Sequence, residues 1–342
     1  MAIVLPEPLR PGDRIGVTSP SSGVPAPLVP RFDVAVRALR DRGFEVVVGD
    51  CMDGEDVMSA PKAERAAELT AMLTDPTIRA VIPPWGGAGT GLDILDQLDW
   101  DAIAAAEPTW AIGYSDTTAW LLPLTLRTGW ASLHGSNLMD TPFAAPEGLL
   151  HWTDVAAATG PVTQRGVGRF RDRVFDDYAV NPTIDTFDLD GTGDWSLLDP
   201  TAGSVDVTGR LAGGCIEVLG AICATYADVA GFGREHAADG LVVYVEASDE
   251  EAYSICRNLH AMRYAGWFDN ASAVLVARTL APGSEGMSQH DAVRDALGEL
   301  DVPVILDVEC GHVAPYLPLV NGALARVVMD GQRREITQDL SR

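Results

Sequence analysis

Short apolar runs alternate with helix-forming stretches over the first 140 residues, and this alternation limits the folds open to the chain. The runs 15–18 and 44–48 are apolar enough for buried strands, whereas 62–73 reads KAERAAELTAML, a composition typical of a helix. Strands that alternate with helices form a parallel sheet through right-handed crossovers. We therefore predict an α/β domain with a parallel sheet over residues 1–140.

The periodicity is lost over residues 141–204, where Pro, Gly, Asp and Thr accumulate. We expect a linker with long loops there, and so long a loop region in a compact protein is usually functional or disordered. Order returns in the remaining part, 205–342. Within it, 213–225 looks helical, and 240–246 (GLVVYVE) predicts a buried strand.

Charge, cysteine usage and hydropathy exclude several classes of partner and site. The 24 Lys and Arg stand against 49 Asp and Glu, and a net charge of −25 repels phosphate backbones, which argues against nucleic acid as a partner. Five cysteines without a CxxC pair favour a reduced, cytoplasmic protein, and six histidines without HExxH or HxH propose no metal site. The chain has neither an apolar run of membrane-spanning length nor a recognisable secretory signal.

Ser115 stands where a strand signal gives way to a helix signal. Residues 110–112 predict a buried strand, and a helix begins just after Ser115, which is the setting of a nucleophile elbow. Backbone N–H groups at such a helix start can stabilise an oxyanion. Asp116 and Thr117 depart from the usual GxSxG pattern, and a simple helix N-cap is the alternative role for Ser115.

Two more candidates follow predicted strands in the second half of the chain. Glu246 closes the run GLVVYVE, and His312 follows a glycine after the predicted strand 303–308. Taken alone, Glu246 reads as a solvated carboxylate and His312 as a histidine bonded to a backbone carbonyl. Together with Ser115 they indicate a Ser-His-Glu hydrolase, because catalytic groups gather at strand ends and triads are defined by geometry. His134 is a further residue that could line the same cleft.

The sequence resembles the LD-carboxypeptidase family of serine peptidases, which includes the microcin C immunity carboxypeptidases. The resemblance covers nearly the whole chain and is weakest over residues 141–200. The stretches that carry it are LRPGD at 9–13, WGG at 85–87, IGYSDTTA at 112–119, GGC at 213–215, GLVVYVE at 240–246 and GH at 311–312.

The resemblance implies a flavodoxin-like N-terminal domain and a smaller α/β C-terminal domain, with the catalytic site at their interface. It implies that Ser115 is the nucleophile, Glu246 the triad acid and His312 the base. The backbone N–H groups of Gly87 and Asp116 would form the oxyanion hole. It also implies a cytoplasmic homodimer that uses no metal and no cofactor.

The family has two branches, which differ in substrate. One removes the terminal D-alanine of murein tetrapeptides, and the other cleaves microcin C or related aminoacyl adenylates. The runs at 114–118 and 213–217 look more like the second branch, and Trp85 stands where the murein branch often has arginine.

Trp195 is the candidate for stacking a nucleotide base in that branch, because an exposed indole is a platform for a purine. A hydrophobic plug under a long loop is its alternative role. With Trp85 and His134, it completes the expected substrate-binding set.

We predict a serine carboxypeptidase acting on peptidyl- or aminoacyl-nucleotides. The alternatives are a murein tetrapeptide carboxypeptidase and a non-catalytic ligand-binding protein on the same scaffold.

Overall fold

A computed structural model describes residues 2–173 and 175–342 and places most strands in two large sheets. The strands are β1 (Arg14–Val17), β2 (Glu45–Val48), β3 (Ile78–Ile82), β4 (Trp110–Gly113), β5 (Ser132–His134), β6 (Val162–Arg165), β7 (Arg169–Phe170), β8 (Gly191–Thr192), β9 (Ser196–Leu197), β10 (Val205–Cys215), β11 (Leu241–Glu246), β12 (Ala271–Ala277), β13 (Val304–Val308), β14 (Leu319–Asn321), β15 (Leu324–Met329) and β16 (Arg334–Asp339).

Among the described residues, helices contribute to the apolar cores on both faces of the first sheet but on only one face of the second. The helices are α1 (Val29–Asp41), α2 (Lys62–Thr74), α3 (Trp100–Ala105), α4 (Thr118–Thr128), α5 (Trp152–Ala156), α6 (Ile216–Ile222), α7 (Val229–His236), α8 (Ala252–Tyr264) and α9 (Gln289–Leu297). Within the described residues, no helix has both the length and the apolar character needed to cross a membrane.

The first sheet has the strand order β14-β5-β4-β3-β1-β2. Its five N-terminal strands run parallel, as the alternating pattern predicts, because each is followed by a helix or turn that returns the chain to the same edge. The sixth strand, β14, comes from the far end of the chain and pairs antiparallel with β5. The carboxyl end of β4 leads directly to Ser115.

The second sheet has the order β6-β16-β15-β10-β11-β12-β13-β9. Strands β10 to β13 run parallel, and the flanking strands are antiparallel. One apolar core continues from the first sheet to the second and includes Leu124 of α4, Leu219 of α6 and Val243 of β11. Both β4 and β11 contribute residues to this shared core, Ala111 and Val245.

The helix expected over 213–225 is shorter than predicted. Strand β10 continues through Cys215, and α6 covers only Ile216–Ile222. The reason is tertiary: Gly213 pairs with Tyr244 of β11, and a Cβ atom at Gly213 would lie 1.8 Å from the Tyr244 carbonyl oxygen. Only glycine permits this close approach of two strands.

The segment 141–204 contains more regular structure than the predicted linker and loops. Helix α5 lies in it, β6 extends the second sheet beside β16, and β9 pairs with β13 at the opposite edge. Strands as short and polar as VTQR and SL leave no periodic signal in the sequence.

Candidate active site

Ser115 sits in a strained turn between β4 and α4. Its φ angle is 64°, and it is one of two non-glycine residues with positive φ in the described chain. L-residues rarely adopt this conformation, which costs of order 1–3 kcal/mol and requires support from the surrounding fold. A short 3-10 turn, Ser115–Thr117, then leads into α4 at Thr118. The strand-turn-helix geometry expected of a nucleophile elbow is therefore present.

Three side chains from distant parts of the sequence form one hydrogen-bonded row. His312 Nε2 lies 2.9 Å from Ser115 Oγ, and His312 Nδ1 lies 2.6 Å from Glu246 Oε2. Glu246 is the last residue of β11 and is fully buried, so the solvated-carboxylate alternative is wrong. His312 bonds to two side chains rather than to a backbone carbonyl, and Ser115 faces that histidine rather than capping α4.

Electrostatic attraction between Glu246 and His312 stabilises the charged form of each side chain. Burial alone would raise the pKa of Glu246, but the adjacent His312 outweighs burial and holds the pKa of Glu246 below its ordinary value. Burial opposes protonation of His312, yet the Glu246 carboxylate raises the pKa of His312 above that of free imidazole. The arrangement thus favours an ionised glutamate that can stabilise an imidazolium.

The loop after β3 brings a double glycine next to the elbow. At Gly86, a Cβ atom would lie 2.8 Å from Ser115 Oγ and 2.9 Å from the Asp116 backbone nitrogen. At Gly87, where φ is 117°, it would lie 2.4 Å from Ser21 Oγ. Both positions require glycine for this close approach, so the loop backbone borders the Ser115 hydroxyl.

Hydrogen bonds hold this loop in place. The Trp85 indole N–H donates to the carbonyl oxygens of Ser22 and Gly23, at 3.1 and 2.9 Å. The buried Asp116 carboxylate accepts the Gly91 N–H at 2.7 Å. The elbow and the glycine loop are therefore fixed relative to each other before any ligand binds.

A cavity of about 370 Å³ opens beside Ser115 and His312. Trp85 and Gly87 line it, as the sequence predicts for a substrate site. Half of the other lining residues are aromatic or acidic, namely Tyr114, Phe175, Tyr178, Asp140, Asp176 and Asp177. The acidic and aromatic run at 175–178 is the signal in the sequence that the prediction missed.

The expected exposed indole at Trp195 is wrong. Trp195 is only 2% exposed and packs in the core of the second sheet, where its Nε1–H donates to Glu309 Oε2 at 2.5 Å. It does not line the cavity, and the alternative of a hydrophobic plug is correct. A single aromatic in an aperiodic segment carries no local sign of this partner, because Glu309 is far away in sequence.

His134 also lies outside the cavity lining. It is buried beneath the site, with Nε2 3.2 Å from the Cys310 carbonyl oxygen and its ring against Tyr244. Burial lowers its pKa, which favours the neutral ring. His134 therefore supports the turn that carries His312 instead of facing a ligand.

Glu217 belongs to the site's surroundings although the sequence did not single it out. Its partly buried carboxylate accepts the Ser248 N–H at 2.7 Å and the Cys215 thiol at 3.1 Å. Burial, followed by the charge of Glu246, raises the pKa of Glu217. A glutamate in the first turn of a helix is common, so its role could not be read from the pattern.

One group in the described chain has side chains spaced for a metal ion, and it lies outside the cavity lining. Cys256, His260 and Asp295 place their ligand atoms within 4.8 Å of one another on α8 and α9. His260 Nε2 and Cys256 Sγ already bond to Asp295 Oδ1, at 2.7 and 3.4 Å. These mutual hydrogen bonds account for the cluster.

Comparison with known families and proteins gives matches along most of the chain. The family models described as LD-carboxypeptidase N-terminal domain and LD-carboxypeptidase C-terminal domain match residues 15–135 and 208–327. The Streptomyces coelicolor protein named "Putative carboxypeptidase SCO6489" is 30% identical over 335 residues, which cover 96% of this chain and 94% of that protein.

Two further relatives carry different names. The microcin C7 self-immunity protein MccF of Escherichia coli is 26% identical and covers 98% of this chain and 96% of its own length. A Bacillus subtilis protein named "Probable murein peptide carboxypeptidase" is 24% identical, with coverage of 94% and 90%.

Solved structures of MccF share the fold. The complex with aspartyl sulfamoyl adenosine superposes with a TM-score of 0.79 at 23% identity and covers 99% of this chain and 100% of that one. The complex with glutamyl sulfamoyl guanosine has a TM-score of 0.77 at 23% identity, with 98% of each chain covered.

Proposed function

Because the chain belongs to the LD-carboxypeptidase family, we propose that it is a serine carboxypeptidase that hydrolyses an amide bond through Ser115, His312 and Glu246. The observation that carries this proposal is the hydrogen-bonded row of these three side chains, with Ser115 in a left-handed turn beside an open cavity. A protein that only binds a ligand has no need of all three groups, which argues against the non-catalytic alternative.

In the proposed reaction, His312 Nε2 accepts the Ser115 proton while Ser115 Oγ attacks the scissile carbonyl carbon. The backbone N–H groups of Gly87 and Asp116 would stabilise the oxyanion. His312 then donates the proton to the leaving nitrogen as the C–N bond breaks. Water, deprotonated by His312, hydrolyses the acyl-enzyme and returns Ser115 to its starting state. Glu246 stabilises the imidazolium in both halves of the reaction.

A peptidyl- or aminoacyl-nucleotide is the substrate class that we propose. Two similar structures hold aminoacyl-sulfamoyl nucleotides, and the cavity here offers aromatic rings suited to a base. Since Trp195 is buried, Phe175 takes its place as the stacking candidate: it lines the cavity and is 52% exposed.

Murein tetrapeptide is the second candidate substrate, because one relative is named as a murein peptide carboxypeptidase. Its terminal carboxylate would find no lysine or arginine among the described residues that line the cavity. This favours the nucleotide class. As the resemblance implies, we also propose a cytoplasmic homodimer without a metal or cofactor.

The test compares hydrolysis of alanyl sulfamoyl adenosine and murein tetrapeptide by mass spectrometry. We expect turnover of the nucleotide, no inhibition by EDTA, and loss of turnover in Ser115→Ala. The matched control is Ser204→Ala, an exposed serine outside the site. Hydrolysis of the tetrapeptide but not of the nucleotide would favour the murein branch of the family. Turnover by a folded Ser115→Ala variant would contradict the mechanism.

A further inference from the structure

We infer, building on the function proposed above, that the enzyme selects substrates whose acyl group is uncharged or cationic and discriminates against acyl groups that carry a carboxylate. The cavity beside Ser115 is the basis of this selectivity. Three carboxylates, those of Asp140, Asp176 and Asp177, line it, whereas no lysine or arginine does so among the described residues. The single lysine of the sequence, Lys62, is exposed at the start of α2 and is not part of the lining.

Three arginines lie near these carboxylates, and none of them lines the cavity. The Arg173 side chain is 41% exposed and forms an ion pair with Asp176 at 3.1 Å. The Arg31 guanidinium is buried, donates to the carbonyl oxygens of Met139 and Ile184, and lies over the Tyr178 ring at 4.4 Å. Arg171 is buried as well and forms an ion pair with Asp176 at 2.5 Å. Since none of the three arginines lines the cavity, an acidic ligand would meet no lysine or arginine among the described lining residues.

The carboxylates differ in how far their charge is compensated. Asp176 is paired with both Arg171 and Arg173. Asp140 accepts the Tyr178 hydroxyl at 2.7 Å in a buried setting that raises the pKa of Asp140. Asp177 is exposed, and its Oδ1 accepts the backbone N–H groups of Ala179 and Val180. Asp177 therefore presents the least compensated negative charge to a bound substrate.

More negative charge lies on the far side of the triad. The segment after Glu246 carries Asp249 and Glu250, and the partly buried Glu217 accepts hydrogen bonds from this segment. Both Asp249 and Glu217 are close enough to contribute to the raised pKa of His312. A carboxylate next to the scissile bond would thus face like charge from two directions, whereas an ammonium group would face opposite charge.

The experiment measures kcat/KM for lysyl, alanyl and aspartyl sulfamoyl adenosine, three probes that share the nucleotide and differ only in the acyl group. We expect the lysyl and alanyl probes to exceed the aspartyl probe by at least about tenfold at low salt, with a smaller ratio at high salt. Equal rates, or a preference for the aspartyl probe, would overturn the inference.

The variant Asp177→Asn tests whether Asp177 causes the selectivity for uncharged or cationic acyl groups. Asparagine keeps the side-chain oxygen that accepts the Ala179 N–H, so the loop should persist, and the lysyl-to-aspartyl ratio should fall severalfold. Asp172→Asn is the matched control, because Asp172 is a neighbouring exposed acid that does not line the cavity. An unchanged lysyl-to-aspartyl ratio in Asp177→Asn would show that Asp177 does not cause the selectivity.

Failure of the proposed function has a different signature. If the wild-type protein hydrolyses none of the three probes, the proposed reaction is wrong. Calorimetric binding of the same probes to Ser115→Ala then still tests the charge selectivity. Weaker binding of the aspartyl probe would support it, and equal or tighter binding would reject it.

Discussion

The carboxylate of Glu217 accepts the backbone N–H of Ser248, two residues beyond Glu246, at 2.7 Å. Glu217 lies in the first turn of α6, and Glu246 ends the neighbouring strand β11. The hydrogen bond therefore ties the segment after Glu246, the proposed triad acid, to the start of a helix. It also keeps a second, partly buried carboxylate close enough to His312 to raise the pKa of that histidine.

Glu217→Gln should move the pH profile of the reaction. The acidic limb of kcat/KM reports the pKa of His312, which must be neutral to act as a base. Glu246 raises that pKa above its ordinary value, and the charge of Glu217 adds to the effect. Removing the Glu217 charge lowers the pKa of His312, so the acidic limb should shift to lower pH. Glutamine keeps an acceptor for Ser248, so the plateau rate should change little.

Glu217→Ala serves as the comparison, since it removes both the charge and the acceptor. The plateau kcat/KM should then fall by roughly tenfold, because the segment after Glu246 loses its hydrogen bond to residue 217 and no longer holds Glu246 in position. An unshifted acidic limb in both variants would show that Glu217 is only a structural contact.

Substitutions of Ser115 should separate activity from stability. Ser115→Ala and Ser115→Gly should both lower kcat by roughly 10⁴- to 10⁶-fold, as loss of a triad nucleophile does. Glycine adopts a φ of 64° without steric cost, whereas alanine does not. Ser115→Gly should therefore be the more stable variant by about 0.5–1 kcal/mol in denaturant unfolding. Equal stability would indicate that the turn relaxes once the serine is lost.

Trp195→Phe should affect stability rather than substrate choice. Phenylalanine fills most of the buried space but leaves the Glu309 carboxylate without the indole N–H. An unsatisfied buried acceptor costs about 1–3 kcal/mol. Thermal unfolding should show a lower Tm, and kcat/KM for nucleotide and peptide substrates should change alike. A loss confined to nucleotide substrates would restore Trp195 as a stacking residue.

Phe175→Ala should give the opposite pattern. The side chain is half exposed at the cavity, so Tm should hardly change. Stacking of a base on an aromatic ring contributes about 1–3 kcal/mol, and its loss should reduce kcat/KM for nucleotide substrates by roughly 5- to 150-fold. Phe175→Tyr keeps the ring and should retain most of the activity. Equal losses for peptide and nucleotide would reject a stacking role.

The sequence predicted those parts of the site that follow from local pattern. Apolar runs located the strands that end near Ser115 and at Glu246, and the parallel alternation placed such ends at one edge of a sheet. The end of β10 was missed, because Gly213 carries no strand signal of its own. Its conformation is fixed by pairing with Tyr244, which is a tertiary contact.

The lining of the cavity was the least predictable part. Phe175 and Asp177 lie in a segment without periodicity, and only folding brings that segment beside His312. Trp195 lies in the same segment, but it is buried in contact with Glu309 instead of lining the cavity. Whether an aromatic residue in an aperiodic stretch is buried or exposed depends on its contacts with residues that are distant in sequence. Local patterns do not encode these contacts.

The antiparallel pairing of β14 with β5 has a consequence for how the protein is made. The sheet that presents Ser115 needs Leu319–Asn321 to cover its β5 edge, and His312 emerges only a few residues earlier in the chain. A ribosome must therefore synthesise the chain through Asn321 before the first sheet can close. The hydrogen-bonded row of Ser115, His312 and Glu246 can be held in place only after that point. We therefore expect a nascent chain that stalls before Asn321 to lack the proposed hydrolytic activity.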